Sequence, residues 1–373
     1  MERRDHPLPP ASLGTQRTLT SFHYGRAGSG EKIYVQASLH ADELPGMLVA
    51  HHLRRRLGAI EAQGALRGEV VVVPLANPIG VAQRLLHSVQ GRFDLGTGEN
   101  FNRHYPALRD AVWARIEPQL GADAQANLQL ARAALRDALA ALPADTELAA
   151  WRRQLLGLAC DADVVLDLHC DTDAVLHLYT LTPLWPACEP LARILGAHAT
   201  LLATESGDHP FDEACSQIWW QLAGQAGAAR PIPLGCFSVT VELRGSADVS
   251  HALAEADADA LIEYLRHRGV VTDRASAPLP PLIAEATPLA GSLEVRTPTS
   301  GVVAWHRKPG ERVERGDLLG EVIDPIEGTT SELRSETDGV LYALDTIRFA
   351  TAGARLAKVA GRDATRTGKL LGD

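Results

Sequence analysis

Aromatic residues are scarce, at 5% of the chain, and so are cysteines, of which there are five. Cys160, Cys170, Cys188, Cys215 and Cys236 are widely spaced and never form a C-x-x-C pair. That pattern excludes a disulfide framework and a cysteine-type zinc site, and it suits reduced thiols in a cytoplasm. Apolar runs are short, none approaching the roughly 20 residues of a membrane span. The N-terminal stretch MERRDHPLPPASLG carries charges with no apolar core behind them, so no signal peptide is expected. Positive charge is also lacking, because 36 Lys and Arg stand against 46 Asp and Glu, a formal net charge of -10. With no basic tract to neutralise phosphates, a nucleic-acid partner is not expected. The densest basic cluster, Arg54 to Arg56, reads as the solvated end of a helix. A cytoplasmic globular chain with no membrane partner remains, long enough at 373 residues for two domains or one large domain with an appendage. Its oligomeric state stays open, a homo-oligomer included.

Short β-rich runs occur at Ile33 to Ala37, Val70 to Pro74, Val164 to Leu168, Val175 to Tyr179, Thr200 to Ala203 and Phe237 to Val241. Helical spacing lies between or after them, as in Gly46 to Leu57 and Leu253 to Arg268. Strands alternating with helices predict an α/β domain with a buried sheet, whose ligands collect beyond the carboxyl ends of the strands. From Pro106 to Leu158 the strand signal disappears, and NLQLARAALRDALAAL has the apolar spacing and residues of a helix. We read a helical insertion there, a lid or a flank beside the site. A Pro/Ala-rich linker spans Thr272 to Gly291, and after it short strands alternate with turns. Gly301-Val302-Val303 and Gly339-Val340-Leu341 look like one element used twice, in the manner of the barrel-sandwich fold of lipoyl and biotinyl carriers. A carrier needs a lysine on the hairpin between its halves, yet Asp324 to Gly339 contains none.

Chemistry-bearing residues gather where the strand rule places them. In QASLHADELPGM, His40 and Glu43 follow an apolar run and precede a helical segment. A histidine and an acid at a strand-to-helix turn can converge on a metal ion, although H-x-x-E alone is also the pattern of an ordinary loop. Asp167-Leu168-His169 supplies a third candidate ligand at another strand end. Asp167 shares its strand face by the period of two and is placed to accept the second imidazole N–H. Val241-Glu242-Leu243 ends a further buried strand with an isolated carboxylate, costly there unless it has a partner or a task. It reads either as a general base facing a polarised water or as a structural partner of Arg244. The loop QGRFDLGTGENFNRHYP brings Arg92, Asn102 and Arg103, whose guanidinium forks suit carboxylates and oxyanions.

In order, HADE, NFNR, DLH and VEL resemble the motifs of the succinylglutamate desuccinylase/aspartoacylase family of the zinc metallocarboxypeptidase superfamily. The resemblance covers roughly residues 30 to 250, and the trailing β region also looks like this family's C-terminal domain. It implies an α/β fold with a carboxypeptidase-like mixed sheet flanked by helices, and a small C-terminal all-β barrel-sandwich domain. The domains expected are 1–275, catalytic, with the helical insertion at about 106–158, and 285–362, the β domain. It further implies one Zn2+ held by His40, Glu43 and His169, with Glu242 as catalytic acid and base. Arg92 would polarise the scissile carbonyl, and Asn102 and Arg103 would grip the carboxylate of a small N-acyl amino acid. The expected reaction is hydrolysis of the linking amide to a carboxylic acid and an amine. The sequence departs from the family where many relatives have a glycine pair after the catalytic glutamate; here Arg244 follows Leu243 and is expected to add a substrate-binding cation. A peptide-trimming carboxypeptidase and a non-catalytic binding protein on the same fold are the alternatives.

Overall fold

A computed structural model describes residues 1–372. Along the strands Lys32–Ala37 and Val164–Asp171, alternate side chains enter different cores. Ile33, Val35, Ala37, Val164, Leu166 and Leu168 face one, while Tyr34 and Val165 face the other. A sheet apolar on both faces must be covered on both. Helices Pro45–Ala62, Trp185–Leu195 and His251–His267 cover the first face. Helices Arg109–Ile116, Ala124–Ala140, Glu147–Ala159 and Phe211–Ala226 cover the second.

The sheet has nine strands in the order Glu2–Pro7, Thr18–Gly25, Glu69–Val73, Lys32–Ala37, Val164–Asp171, Phe237–Gly245, His177–Leu181, Ala199–Ala203 and Thr287–Pro288. Its centre is parallel, from Glu69–Val73 through Phe237–Gly245. The N-terminal hairpin and the pairing of Phe237–Gly245 with His177–Leu181 are antiparallel. This is the mixed α/β sheet expected from the sequence. The central strands direct their carboxyl ends to the same edge, where the candidate residues gather.

Residues 292–361 form two antiparallel sheets around a separate core of Val303, Leu319, Val322, Leu341, Leu356 and Val359. They are stitched to the large sheet by backbone bonds, and two expectations change as a result. The strand expected from Val175 to Tyr179 is shifted, and its first two residues lie outside any strand. Asp173–Ala174 pairs with Gly339–Leu344 of the C-terminal sheet, and the main-sheet strand begins only at His177. The Pro/Ala-rich linker contributes Thr287–Pro288 as the last edge strand of the large sheet.

The helical insertion is a flank and not a lid, since none of its residues lines the cavity described below. Its apolar face is taken up by the sheet, with Trp151 fully buried there. One further expectation is corrected. Arg54 to Arg56 is not a solvated helix end, because Arg54 stacks on the Phe22 ring and Arg56 pairs with Asp259. Of Trp219-Trp220 only Trp219 is core, since consecutive helical residues point about 100° apart and Trp220 is 42% exposed.

Candidate active site

Two close backbone approaches shape the loop that carries His40 and Glu43. A Cβ on Gly46 would lie 3.1 Å from the Leu168 carbonyl oxygen, so glycine lets the first helix start hard against the sheet. A Cβ on Gly91 would lie 2.1 Å from the Asp42 amide nitrogen. Glycine there brings the following Arg92 over His40, with Nη1 3.3 Å from His40 Nδ1 and 3.5 Å from Glu43 Oε1. Between these points Ser38 adopts a φ of 59° and its hydroxyl donates to the Glu43 carbonyl oxygen. The chain thereby turns His40 and Glu43 back toward the strand ends.

His40, Glu43 and His169 converge, each offering one ligand atom within 4.8 Å of the others. His40 Nδ1 is 2.9 Å from Glu43 Oε1, and His169 Nδ1 is 2.8 Å from Glu43 Oε2. The Cys170 amide also donates to Oε2. His40 Nε2 is 2.9 Å from Asn100 Oδ1, an oxygen that already accepts the Asn102 amide. This bond puts the imidazole proton on Nε2 and leaves Nδ1 as a lone pair. Burial, helped by the Arg92 charge, pushes His40 down to about 4, so the ring is neutral. A lone pair and a carboxylate oxygen then face each other at hydrogen-bond distance, an arrangement that calls for a cation between them. His169 differs. Burial disfavours its charged form, but the Asp167 and Glu43 charges outweigh burial and hold it well above the usual histidine range. Asp167 Oδ2 lies 3.0 Å from His169 Nε2, while Asp167 Oδ1 accepts from Gln36, which in turn accepts from Tyr34. Two imidazoles with outward Nδ1 atoms and a carboxylate are the donor set of a divalent transition-metal site.

Glu242 faces the same space by register. Val239, Val241 and Leu243 enter one core, so Thr240 and Glu242 point to the opposite face, and Glu242 pairs directly with His169 on the neighbouring strand. Burial, and next the Glu43 charge, push its carboxyl up to about 8, and its Oε2 is buried with no hydrogen-bond partner among the described residues. Arg244 is not that partner.

The loop with Asn102 and Arg103 is held by the helical flank. Trp151 stacks edge-on against Phe101 at 5.4 Å, and Arg152 pairs with Glu99 and donates to the Asn100 carbonyl oxygen. Asn102 Oδ1 accepts the Phe211 amide, which leaves its NH2 as a donor. Arg103 is 4% exposed, and its Nη1 donates to the Asn102 carbonyl oxygen. His40, Glu43, Arg92, Asn102, Arg103, His169 and Glu242 all line one cavity of about 500 Å³.

The structure does not bring Arg244 there. It follows Glu242 by two residues, but at a φ of 65° its guanidinium pairs with Asp257 on the last helix, away from the cavity wall. The expected substrate-binding cation is therefore corrected to a structural ion pair. His177 is buried, donates from Nδ1 to the Val175 carbonyl oxygen, and also stands outside the lining.

Several residues of the site and its walls escaped the sequence reading. Asn100 lies within NFNR, and its position in the motif was the available signal. Lys358 and Tyr342 come from the C-terminal strands, and Lys358 Nζ is 2.6 Å from Asp171, which follows DLH by two residues. Burial notwithstanding, the Lys358 charge keeps Asp171 well below the usual carboxylate range. Asp212 and Glu213 open the Phe211–Ala226 helix on another side, pushed up to about 6 and about 7, chiefly by burial. No local pattern distinguishes these residues from helix-initiating acids or a strand lysine.

A mixed α/β sheet with a two-histidine, one-carboxylate cluster at its strand ends, roofed by antiparallel strands, defines the class. Over residues 29–268 the chain matches the succinylglutamate desuccinylase/aspartoacylase catalytic domain, and it belongs to that family. No curated protein matches it. Among solved structures it is similar to a succinylglutamate desuccinylase/aspartoacylase family protein from Shewanella amazonensis SB2B, at 26% identity and a TM-score of 0.84 over 96% of this chain and 98% of that one. A second, from Shewanella frigidimarina NCIMB 400, shares 24% identity and the fold, at a TM-score of 0.83 over 96% and 97%. The product-bound ectoine utilization protein EutE (DoeB) from Ruegeria pomeroyi shares the fold at 16% identity and a TM-score of 0.69, over 96% and 94%.

Proposed function

We propose that the chain is a zinc-dependent hydrolase that splits the amide bond of a small N-acyl amino acid. The observation that carries this reading is the meeting of His40, Glu43, His169 and Glu242 in one cavity with Arg92, Asn102 and Arg103. His40 and His169 through Nδ1, with Glu43, would hold one Zn2+, the metal that this donor set suits best. When bound, the ion supplies Lewis acidity at the scissile carbonyl and makes water nucleophilic near neutral pH. Glu242, opposite His169, would be kept ionised by the cation held beside it, so that it takes the proton of the attacking water and delivers it to the leaving nitrogen as the C–N bond breaks. The Arg92 guanidinium, half-exposed above His40, donates to the carbonyl oxygen as that oxygen gains charge. Asn102 and Arg103 receive the substrate's carboxylate, which orients the amide toward Glu242.

In this reading residues 1–275 are the catalytic domain and residues 285–362 roof it. Tyr342 and Lys358 from the roof close the cavity on one side, which favours small substrates over peptides. Five free, buried cysteines support a reducing compartment such as the cytoplasm. The test is metal content of the purified chain beside that of His169→Ala, followed by a screen of N-acylated amino acids. Near-stoichiometric zinc lost in the variant, with release of free amine by the parent, is the expected result. Absence of zinc in both, in buffers without chelator, would return the chain to the class of binding proteins.

A further inference from the structure

The last described residues come back from the C-terminal strands to the carboxylate end of the cavity. The amides of Thr365 and Arg366 donate to the Ala290 carbonyl oxygen, and Arg366 Nη1 donates to that of Ser292, which anchors the segment beside the roof. Beyond this anchor the amides of Leu370 and Leu371 both donate to the Ser206 carbonyl oxygen, at 2.9 and 3.0 Å. Lys369 pairs with Asp208. The Gly372 carbonyl oxygen accepts from Arg103 Nη2 at 2.7 Å, and Leu370, Leu371 and Gly372 line the cavity.

We propose that Lys369–Gly372 is an intramolecular ligand of the active-site cavity, docked on the Arg103 guanidinium so that segment and substrate compete. The proposal rests on the deacylase reading, which gives that guanidinium to the substrate's carboxylate. A substrate carboxylate makes charge-assisted, bidentate bonds to arginine, and it needs the same guanidinium that donates to the Gly372 carbonyl oxygen. The segment is held further by Arg366, which donates to the Leu370 carbonyl oxygen, and by Leu370 and Leu371, which pack against the apolar cluster of Leu201, Leu289 and Tyr342. The anchor at Thr365 and Arg366 keeps the released segment close, so it returns when product leaves.

The experiment compares the zinc-loaded full chain with one lacking residues 369–373, over a panel of N-acetyl amino acids. It also follows amide hydrogen exchange at Leu370 and Leu371 in the full chain. A segment docked nine-tenths of the time weakens apparent affinity about tenfold, so its removal should lower KM about threefold to tenfold and change kcat by less than about twofold. Saturating N-acyl amino acid should speed exchange at the two amides. An unchanged or higher KM, or exchange that slows on adding the amino acid, overturns the proposal and makes the segment a fixed wall. If no N-acyl amino acid is turned over, the deacylase reading has failed, and docking is judged on Arg103→Ala alone. Faster exchange at Leu370 and Leu371 in that variant supports docking on Arg103; unchanged exchange refutes it. Should the shortened chain not fold, Lys369→Ala replaces it, with a lower KM and faster exchange expected and no change in either counting against the proposal.

Discussion

The cavity has two walls of different origin. One is the carboxyl edge of the large sheet, where His40, His169 and Glu242 are fixed by strand register and by the loops that leave those strands. The other is assembled from the C-terminal strands, where Tyr342 and Lys358 reach back across more than a hundred positions of sequence. The sheet wall is rigid by construction. Its side chains leave fully buried strands and are tied by Asn100, Asp167 and the Cys170 amide. The roof is joined to it through the Asp173–Ala174 pairing and the Lys358–Asp171 ion pair. We infer a division of labour, in which the sheet wall does the chemistry and the roof sets what reaches it.

The largest effect that would break this comparison is expected at Glu242. Glu242→Gln keeps the shape and leaves the three candidate ligands in place. Turnover should fall about 10²- to 10⁴-fold, the usual worth of a general acid–base group. Zinc content, measured by atomic absorption, should not change. Comparable turnover in the variant would remove Glu242 from the chemistry and leave the sheet wall as a binding surface.

A smaller effect separates the acids of the cavity from one another. Glu213 accepts the Ser206 amide through Oε1, while its Oε2 is buried without a hydrogen-bond partner among the described residues. Burial and the adjacent Asp212 push its carboxyl up to about 7. A glutamate in the unfolded chain titrates near 4.3, so between about pH 4.3 and 7 the folded state binds the extra proton. Stability from this group is therefore complete below about pH 4.3 and is lost as pH rises through about 7. Glu213→Gln keeps the acceptor and removes the charge. Its stability should match the parent near pH 4 and exceed it by about 2–4 kcal/mol above pH 7. Denaturant midpoints across that range check the claim, and parallel profiles for the two proteins would contradict it.

The joint between the walls is the next place to look. Lys358 pairs with Asp171 at 2.6 Å, but its side chain keeps 36% of its surface open, so water screens part of the attraction. Lys358→Met leaves Asp171 facing the cavity alone and should cost about 1–2 kcal/mol. Adding Asp171→Asn should restore most of that loss, because the stranded charge is gone. A double variant no better than the single would place the cost in packing and not in the pair.

The two walls also explain what the sequence could reveal. Strand-end motifs are local: DLH and VEL each end an apolar run, and alternation alone puts Asp167 with His169 on one face. HADE needed only the next helix start to be read as a turn. Lys358 carries no such mark, since one lysine in RLAKVAG reads as the outward residue of an alternating strand. Its position in the cavity depends on how two sheets dock, a matter of tertiary packing. The helical insertion was visible as helix, but its orientation was not, because its apolar stripe does not say which face of the sheet it covers. Trp151 settles this by stacking on Phe101, so the insertion supports the NFNR loop from behind.

Arg244 offers the smallest expected effect and the sharpest check on reading adjacency in sequence as adjacency in space. On a flat strand, residues two apart share a face, which would have put Arg244 beside Glu242 in the cavity. The positive φ at Arg244 and the register shift between Glu242 and Gly245 break that alternation, and the guanidinium turns to Asp257 instead. That pair is partly exposed, at 22% and 9%. Arg244→Gln should therefore lower stability by about 1 kcal/mol and leave KM within about twofold of the parent across N-acyl amino acids. If KM instead rises about tenfold with kcat preserved, a uniform loss of substrate binding, Arg244 must swing into the cavity when substrate is bound. Substrate specificity would then reside partly in the sheet wall, and the division between the two walls would have to be redrawn.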